Sequence, residues 1–150
     1  MEYIAATTVN IRKAETNDAP AICRICTNDL GYECREEFVL NRLKNIDAKR
    51  EAVFVAEIEG AVAGFVHAEK YELLYFEPMI NILGLAVSSE HRRKGVGKAL
   101  ISRAESWGKE LGINIVRLNS GHSRKEAHDF YRAIGFDDEK LQMRFIKNLD

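Results

Sequence analysis

Residues 79–98 read MINILGLAVSSEHRRKGVGK, and three kinds of composition follow one another in them. Met79–Val87 is a near-continuous apolar run, as expected of a central strand buried on both faces. Gly84 inside it predicts a bulge or a close backbone approach. Arg92, Arg93 and Lys94 then lead into Gly95 and Gly97. From Val96 the spacing turns helical: Val96, Leu100, Ala104, Trp107 and Leu111 lie three and four apart. A buried strand, a basic glycine-rich turn and an amphipathic helix make an anion-binding arrangement. Free N–H groups at the helix start point outward, the helix dipole adds partial positive charge, and glycines let an anion approach the main chain. The three cations supply neighbouring charge. On these residues alone a solvated charged turn reads equally well.

The surrounding pattern predicts a mixed sheet with helices on its faces, class α/β or α+β. Val9–Ala14 alternates like a strand. Next comes a helix with Thr16 or Asp18 as its cap, Pro20 in its first turn, Ile22, Ile25 and Leu30 on one face, and Gly31 as its stop. A second helix is expected from Glu36 to Ile46, with Phe38, Val39, Leu40 and Leu43 inward. Ala52–Ile58 and Ala61–Glu69 flank Glu59-Gly60 as a hairpin. After the central strand and its helix, which Gly112 stops, Ile113–Asn119 reads as a strand. Ser123–Gly135 reads as a helix with a Ser123–Glu126 capping box. The tail, including Leu141–Ile146, returns to strand. No linker, repeat or low-complexity segment interrupts the 150 residues, so one domain is expected.

Composition narrows the function. A formal net charge of −1 argues against a nucleic-acid binder, which needs a basic surplus. No apolar run approaches bilayer length and the N-terminus lacks a secretory pattern, so a cytoplasmic protein without membrane contact is expected. Cys23, Cys26 and Cys34 make an odd count, which argues against a disulfide framework. Cys23-x-x-Cys26 lies in an apolar-periodic stretch and reads as packing thiols. His67, His91, His122 and His128 have no metal spacing, so no metal is expected. The glycine turn lacks the Walker pattern G-x-x-x-x-G-K-[ST]. It also fails the dinucleotide pattern G-x-G-x-x-G, because Leu100 stands at the third glycine.

VSSEHRRKGVGKAL resembles the acetyl-coenzyme A motif of the GNAT superfamily of N-acetyltransferases, which is Arg or Gln, two residues, Gly, one residue, Gly or Ala. Arg92, Gly95 and Gly97 match it. Downstream, AHDFYRAIGF resembles the family's A-x-x-F-Y-x-x-x-G-F element at Ala127, Phe130, Tyr131, Gly135 and Phe136. Ser89 stands where a proline is common, and Arg124 where many members carry Asn. SGHSRKEAHDFY is similar to a subgroup that acetylates small amines such as aminoalkylphosphonates and some aminoglycosides. The resemblance covers nearly the whole chain. It implies the GNAT fold, with a mostly antiparallel, twisted sheet of about six to seven strands, and acetyl transfer from acetyl-CoA to a primary amine in a ternary complex.

The resemblance also implies roles for particular residues. Leu85, Ala86 and Val87 hold the pantetheine arm as an added strand, with the Val87 amide as donor to the thioester carbonyl. The amides from Arg93 to Lys98, through Lys94, Gly95, Val96 and Gly97, take the pyrophosphate beside Arg92, and Ala127 and Phe130 line the cofactor groove. On residue type alone Tyr131 is a helix aromatic packed beside Phe130; the resemblance makes it the general acid. A phenol keeps its proton at neutral pH and can lend it to a developing thiolate. Some members carry a glutamate where this chain has Asn81, which takes no proton but can hold water or substrate. Glu33, in the loop between the first two helices that borders the acceptor site in the family, is the candidate base or acceptor-site residue, with Glu72 and Glu77 as other candidate carboxylates. A homodimer is a further possibility by analogy. A peptide amine, or a non-catalytic acetyl-CoA-binding module, is the alternative reading.

Overall fold

Five strands form one sheet: β1 (Asn10–Lys13), β2 (Glu51–Ile58), β3 (Ala61–Tyr71), β4 (Met79–Val87) and β5 (Val116–Leu118), side by side in that order. The computed structural model describes residues 8–150 and falls into two units, one ending at Leu118 and the other Asn119–Asp150. The first four strands are antiparallel neighbours, and β5 runs parallel to β4. Glu59 and Gly60, with φ of 51° and 79°, make the two-residue turn between β2 and β3. Two positive φ values match the twist of a tight hairpin, which is why Gly follows a polar residue there.

Helices cover both faces of the sheet. α1 (Ala19–Asp29) and α2 (Glu36–Lys44) lie on one side, where Ile22 and Ile25 pack with Val55, Phe65 and Ala86, and Val39 and Leu43 close the edge. α3 (Val96–Glu110) lies on the other. A Cβ built on Gly64 would stand 3.2 Å from both Val96 and Leu100 and 2.7 Å from the Ala86 carbonyl, so glycine lets this helix approach the sheet.

β4 is the irregular strand. His67 pairs with Gly84 and Ala68 with Ile82, which leaves Leu83 unmatched between them. One extra residue reverses the alternation, because side chains change face every residue. Ile80 packs under Gly108 of α3, whereas Ala86, on the other side of the bulge, joins the α1 cluster. The bulge expected at Gly84 is therefore present. Burial on both faces along the whole strand is not, since Leu83 is 47% exposed.

Other expectations are corrected by local packing. Phe38 turns outward and is exposed beneath the Arg35 guanidinium, 5.5 Å from its ring centre. Leu111 is also exposed, because the last turn of α3 closes before Gly112, whose φ is 75°. Neither Thr16 nor Asp18 caps α1 through its side chain. Thr16–Asp18 is a separate 3-10 turn. The Asp18 carboxylate instead accepts two hydrogen bonds from the Arg12 guanidinium, at 2.8 Å each, and one from the Glu15 amide at 2.7 Å. Arg12 also bonds to Glu57, so one guanidinium ties β1 to β2 and to the start of α1.

Within residues 119–150, α4 (Lys125–Ala133) begins two residues after the expected start, with Arg124 as its cap and no side-chain capping bond. The Ser123–Glu126 box is therefore absent. Gly135, φ 106°, ends the helix as expected. The tail forms no strand: Leu141, Met143, Phe145 and Ile146 are 70–85% exposed, without the neighbouring strand that an alternating segment requires. The sheet of the described residues thus has five strands where six to seven were expected. No helix among the described residues is long and apolar enough to cross a membrane.

Gly64→Ala should lower unfolding free energy by about 1–3 kcal/mol, the usual cost of overpacking a close contact. Urea denaturation checks this, and an unchanged midpoint would contradict the backbone approach. Hydrogen bonds from Arg12 hold the Asp18 carboxyl below its ordinary range, against the opposing effect of burial. That stabilisation is complete above about pH 4 and is lost as pH falls through the lowered folded value. Asp18→Asn should therefore lower the thermal midpoint at pH 7 and flatten its fall below about pH 5; parallel wild-type and variant curves would contradict the assignment.

Candidate active site

The sheet opens where β4 passes its bulge. β5 pairs with β4 only at Ile80, Asn81 and Ile82. From Gly84 to Val87, β4 keeps β3 on one side and has no strand on the other among the described residues. The Ser88 amide donates to the Ala63 carbonyl at 2.8 Å, which sets the alternation of this segment. Ala86 then turns its backbone groups toward β3, and Leu85 and Val87 turn theirs toward the open side. An unpaired strand edge is a template for another extended chain with amide groups.

β4 leads directly into the basic turn. Ser89–His91 make one 3-10 turn, Arg93 and Gly95 take left-handed φ of 63° and 79°, and α3 begins at Val96. Nothing stands within 4 Å of a Cβ built on Gly95, so glycine is needed there for its backbone angle rather than for space. The first helical bond runs from the Ala99 amide to the Gly95 carbonyl at 3.0 Å, and no side chain caps the helix. The amides of Val96, Gly97 and Lys98 therefore have no partner within α3. Buried Val96 and Leu100 fix this helix end against the sheet.

The structure separates the three cations of the turn. The Arg92 guanidinium lies 3.9 Å from Asp29, at the end of α1. The buried Asp29 carboxylate also accepts the Ser89 amide at 3.0 Å, so it anchors the turn from outside it. Arg93, Lys94 and Lys98 are exposed and carry no carboxylate partner among the described residues. Asp29 escaped the sequence reading because it lies 60 residues away and matches no motif.

On the α1 side of the sheet, beyond the apolar cluster, a polar row crosses four strands. Glu51 of β2 is paired with Glu69 of β3, Glu69 with Asn81 of β4, and Asn81 with Arg117 of β5. The Asn81 side-chain carbonyl accepts a 2.7 Å bond from Arg117, whose guanidinium lies 4.6 Å over the Tyr71 ring. Glu51 sits 2.8 Å from His67 Nε2 and 2.7 Å from the Arg42 guanidinium of α2. Burial raises the Glu51 carboxyl, and the opposing pull of His67 and Arg42 leaves it below the usual range. Glu33 stands exposed in the α1–α2 loop, Glu77 is exposed, and Glu72 faces Arg50 at 3.4 Å. None of these three joins the row.

Residues 119–150 hold the second motif. Tyr131 makes edge contacts with Phe130 at 5.3 Å and with Phe136 at 5.7 Å between ring centres, and its carbonyl accepts the Phe136 amide. Burial pushes the Tyr131 phenol up, against the pull of the Arg124 charge. Ala127 and Phe130 are partly buried on the same helix. His128 Nε2 lies 2.9 Å from the Gly121 carbonyl.

Elsewhere, Cys23 Sγ donates to the Cys34 carbonyl at 3.2 Å, and all three cysteines are free thiols. Burial raises Cys26 and pushes Cys34 up to about 12. Among the described residues no group of His, Cys, Asp or Glu is placed to hold a metal ion.

Comparison with known proteins places the chain in a family. The model of the Acetyltransferase (GNAT) family matches residues 19–136. An uncharacterized N-acetyltransferase of Methanocaldococcus jannaschii is 30% identical over 104 residues, which are 66% of this chain and 46% of that protein. The chain thus aligns with less than half of that relative's length. The aminoalkylphosphonate N-acetyltransferase of Salmonella typhimurium is 27% identical over 144 residues, 93% of this chain and 90% of the relative. The crystal structure of an aminoglycoside acetyltransferase from an uncultured soil metagenomic sample, in complex with trehalose, superposes with a TM-score of 0.78 at 25% identity. It covers 95% of this chain and 97% of the other. With the family match running from α1 through Phe136, just beyond α4, the chain belongs to the GNAT family of acetyltransferases.

Proposed function

We propose that this protein transfers the acetyl group of acetyl-CoA to a primary amine of a small molecule. The carrying observation is the open edge of β4 running straight into the uncapped N-terminus of α3. That continuity suits a ligand with amides at one end and an anion at the other. Leu85 and Val87 would pair with the pantetheine amides. The amides of Val96, Gly97 and Lys98 would hold the pyrophosphate, with Arg93 and Lys94 adding charge. Arg92 is shared with Asp29 and serves the shape of the turn as much as the anion. The family match spans both units of the chain, which supports their working as one domain.

Acetyl-CoA supplies an acyl group activated as a thioester. The protein must position an amine, polarise the acyl oxygen and protonate the departing sulfur. The Val87 amide, on the open edge, is the proposed donor to the oxygen. Tyr131 is the proposed proton donor, and its raised phenol keeps that proton at neutral pH. The small-amine reading rests on the aminoalkylphosphonate and aminoglycoside enzymes among the relatives.

Gly95→Asp strains the left-handed position and sets a carboxylate at the proposed pyrophosphate site. Calorimetry should show acetyl-CoA affinity reduced at least about tenfold, or roughly 1.4 kcal/mol; an unchanged affinity would overturn the cofactor site. Tyr131→Phe should lower kcat by about 10²-fold at nearly constant acetyl-CoA KM. A kcat equal to wild type removes Tyr131 from the reaction.

A further inference from the structure

We propose that Glu69 of β3 is the general base that takes the proton from the acceptor ammonium, a role resting on the acetyltransferase reading above. The row across the sheet leaves it as the free proton acceptor. Arg117 holds the Asn81 carbonyl, and Asn81 takes no proton at neutral pH. Glu51 is engaged by His67 and Arg42. Glu69 lies between them, paired in register with both Glu51 and Asn81. It is partly buried and has no ion-pair partner among the described residues.

Its position suits the reaction. Directly opposed residues in a sheet bring their Cβ atoms within about 5 Å, so a carboxylate at 69 reaches the surface above Asn81. Asn81 is two residues before Leu83, where β4 bulges and β5 no longer follows it. A base at this point faces the start of the open edge where the thioester is proposed to lie. The charged and titratable groups around Glu69 are Glu51 from β2, His67 and Tyr71 from its own strand, Arg117 from β5, and Arg42 of α2 through Glu51. Two adjacent carboxylates favour an ammonium acceptor over a neutral or anionic one.

The ammonium gives one proton to the Glu69 carboxylate, which releases it to water. The freed lone pair attacks the acyl carbon, the C–N bond forms and the C–S bond breaks with its electron pair on sulfur. The nitrogen loses a second proton as the amide forms, which offsets the proton taken by the thiolate. The products are the acetamide, free thiol and one proton.

The test compares wild type, Glu69→Gln and the double variant Glu69→Gln/Asn81→Glu by thiol release from acetyl-CoA. The probes are spermidine, kanamycin A, 2-aminoethylphosphonate and an N-terminal serine peptide, at pH 7 and pH 9.5. With the amine that wild type turns over best, Glu69→Gln should lower kcat/KM by about 10²-fold at pH 7. At pH 9.5 the deficit should shrink to a few-fold, because a far larger fraction of the amine arrives already neutral than at pH 7. The double variant, with its carboxylate one strand over, should regain part of the pH 7 rate. Calorimetric affinity for acetyl-CoA should be the same in all three proteins. A pH 7 deficit under threefold, or an equal deficit at both pH values, overturns the role of Glu69. A wild type that binds acetyl-CoA yet releases no thiol with any of the four amines overturns it as well. A wild type that does not bind acetyl-CoA overturns the cofactor reading itself.

Discussion

One unmatched residue, Leu83, governs the organisation of the sheet. A strand between two helical layers normally serves each layer with alternate side chains. The bulge at Leu83 lets β4 exchange those roles partway along. Before it, Ile80 packs under α3; after it, Ala86 joins Ile22, Ile25 and Phe65 beneath α1. The same irregularity coincides with the end of pairing to β5. Core packing and an unpaired backbone edge thus arise at one place. Gly64 completes the arrangement by letting Val96 and Leu100 settle close to the sheet, which places the uncapped start of α3 one short turn after the open edge.

The electrostatics of the site are local. With a net charge of −1 the chain has no overall basic surplus, so an anion at the turn would be held by directed amides and nearby cations. Backbone donors are well suited to this, because the fold holds them in place without ordering a long side chain. Asp29 restrains the turn through the Ser89 amide and Arg92. On the opposite edge, Arg12 performs a related task by joining Asp18 and Glu57. The first contact shapes the site, and the second fastens the outer strand to the helix that carries Asp29.

The edge and the α1-side face of β4 offer different chemistry. The edge of β4 offers backbone groups, which suit a cofactor with repeated amides. Its α1-side face offers Asn81 in a row of side chains, which suits discrimination among amines. On that face the Asn81 side-chain carbonyl is held by Arg117. The neighbouring strand carries a carboxylate beside it at Glu69, the residue proposed as the base.

Much of this was legible in the sequence, for definite reasons. The apolar run Met79–Val87, the Glu59-Gly60 turn and the Val96–Trp107 spacing are local signals, and each element forms where its periodicity predicts. Gly95 and the cations ahead of α3 likewise lie in the turn between strand and helix that their local pattern predicts. Local signals also misled. Leu141–Ile146 has a strand pattern but no neighbour to pair with, and Ser123 and Glu126 have capping-box spacing around a helix that starts after Ser123. Tertiary structure alone decided which side chains share a row: Glu51, Glu69, Asn81 and Arg117 become neighbours only through pairing register. Register is set by turns, the bulge and packing across the whole sheet, so no short window of sequence contains it. That is why Asn81 could be located from its motif while Glu69, twelve positions earlier and directly beside it in space, could not.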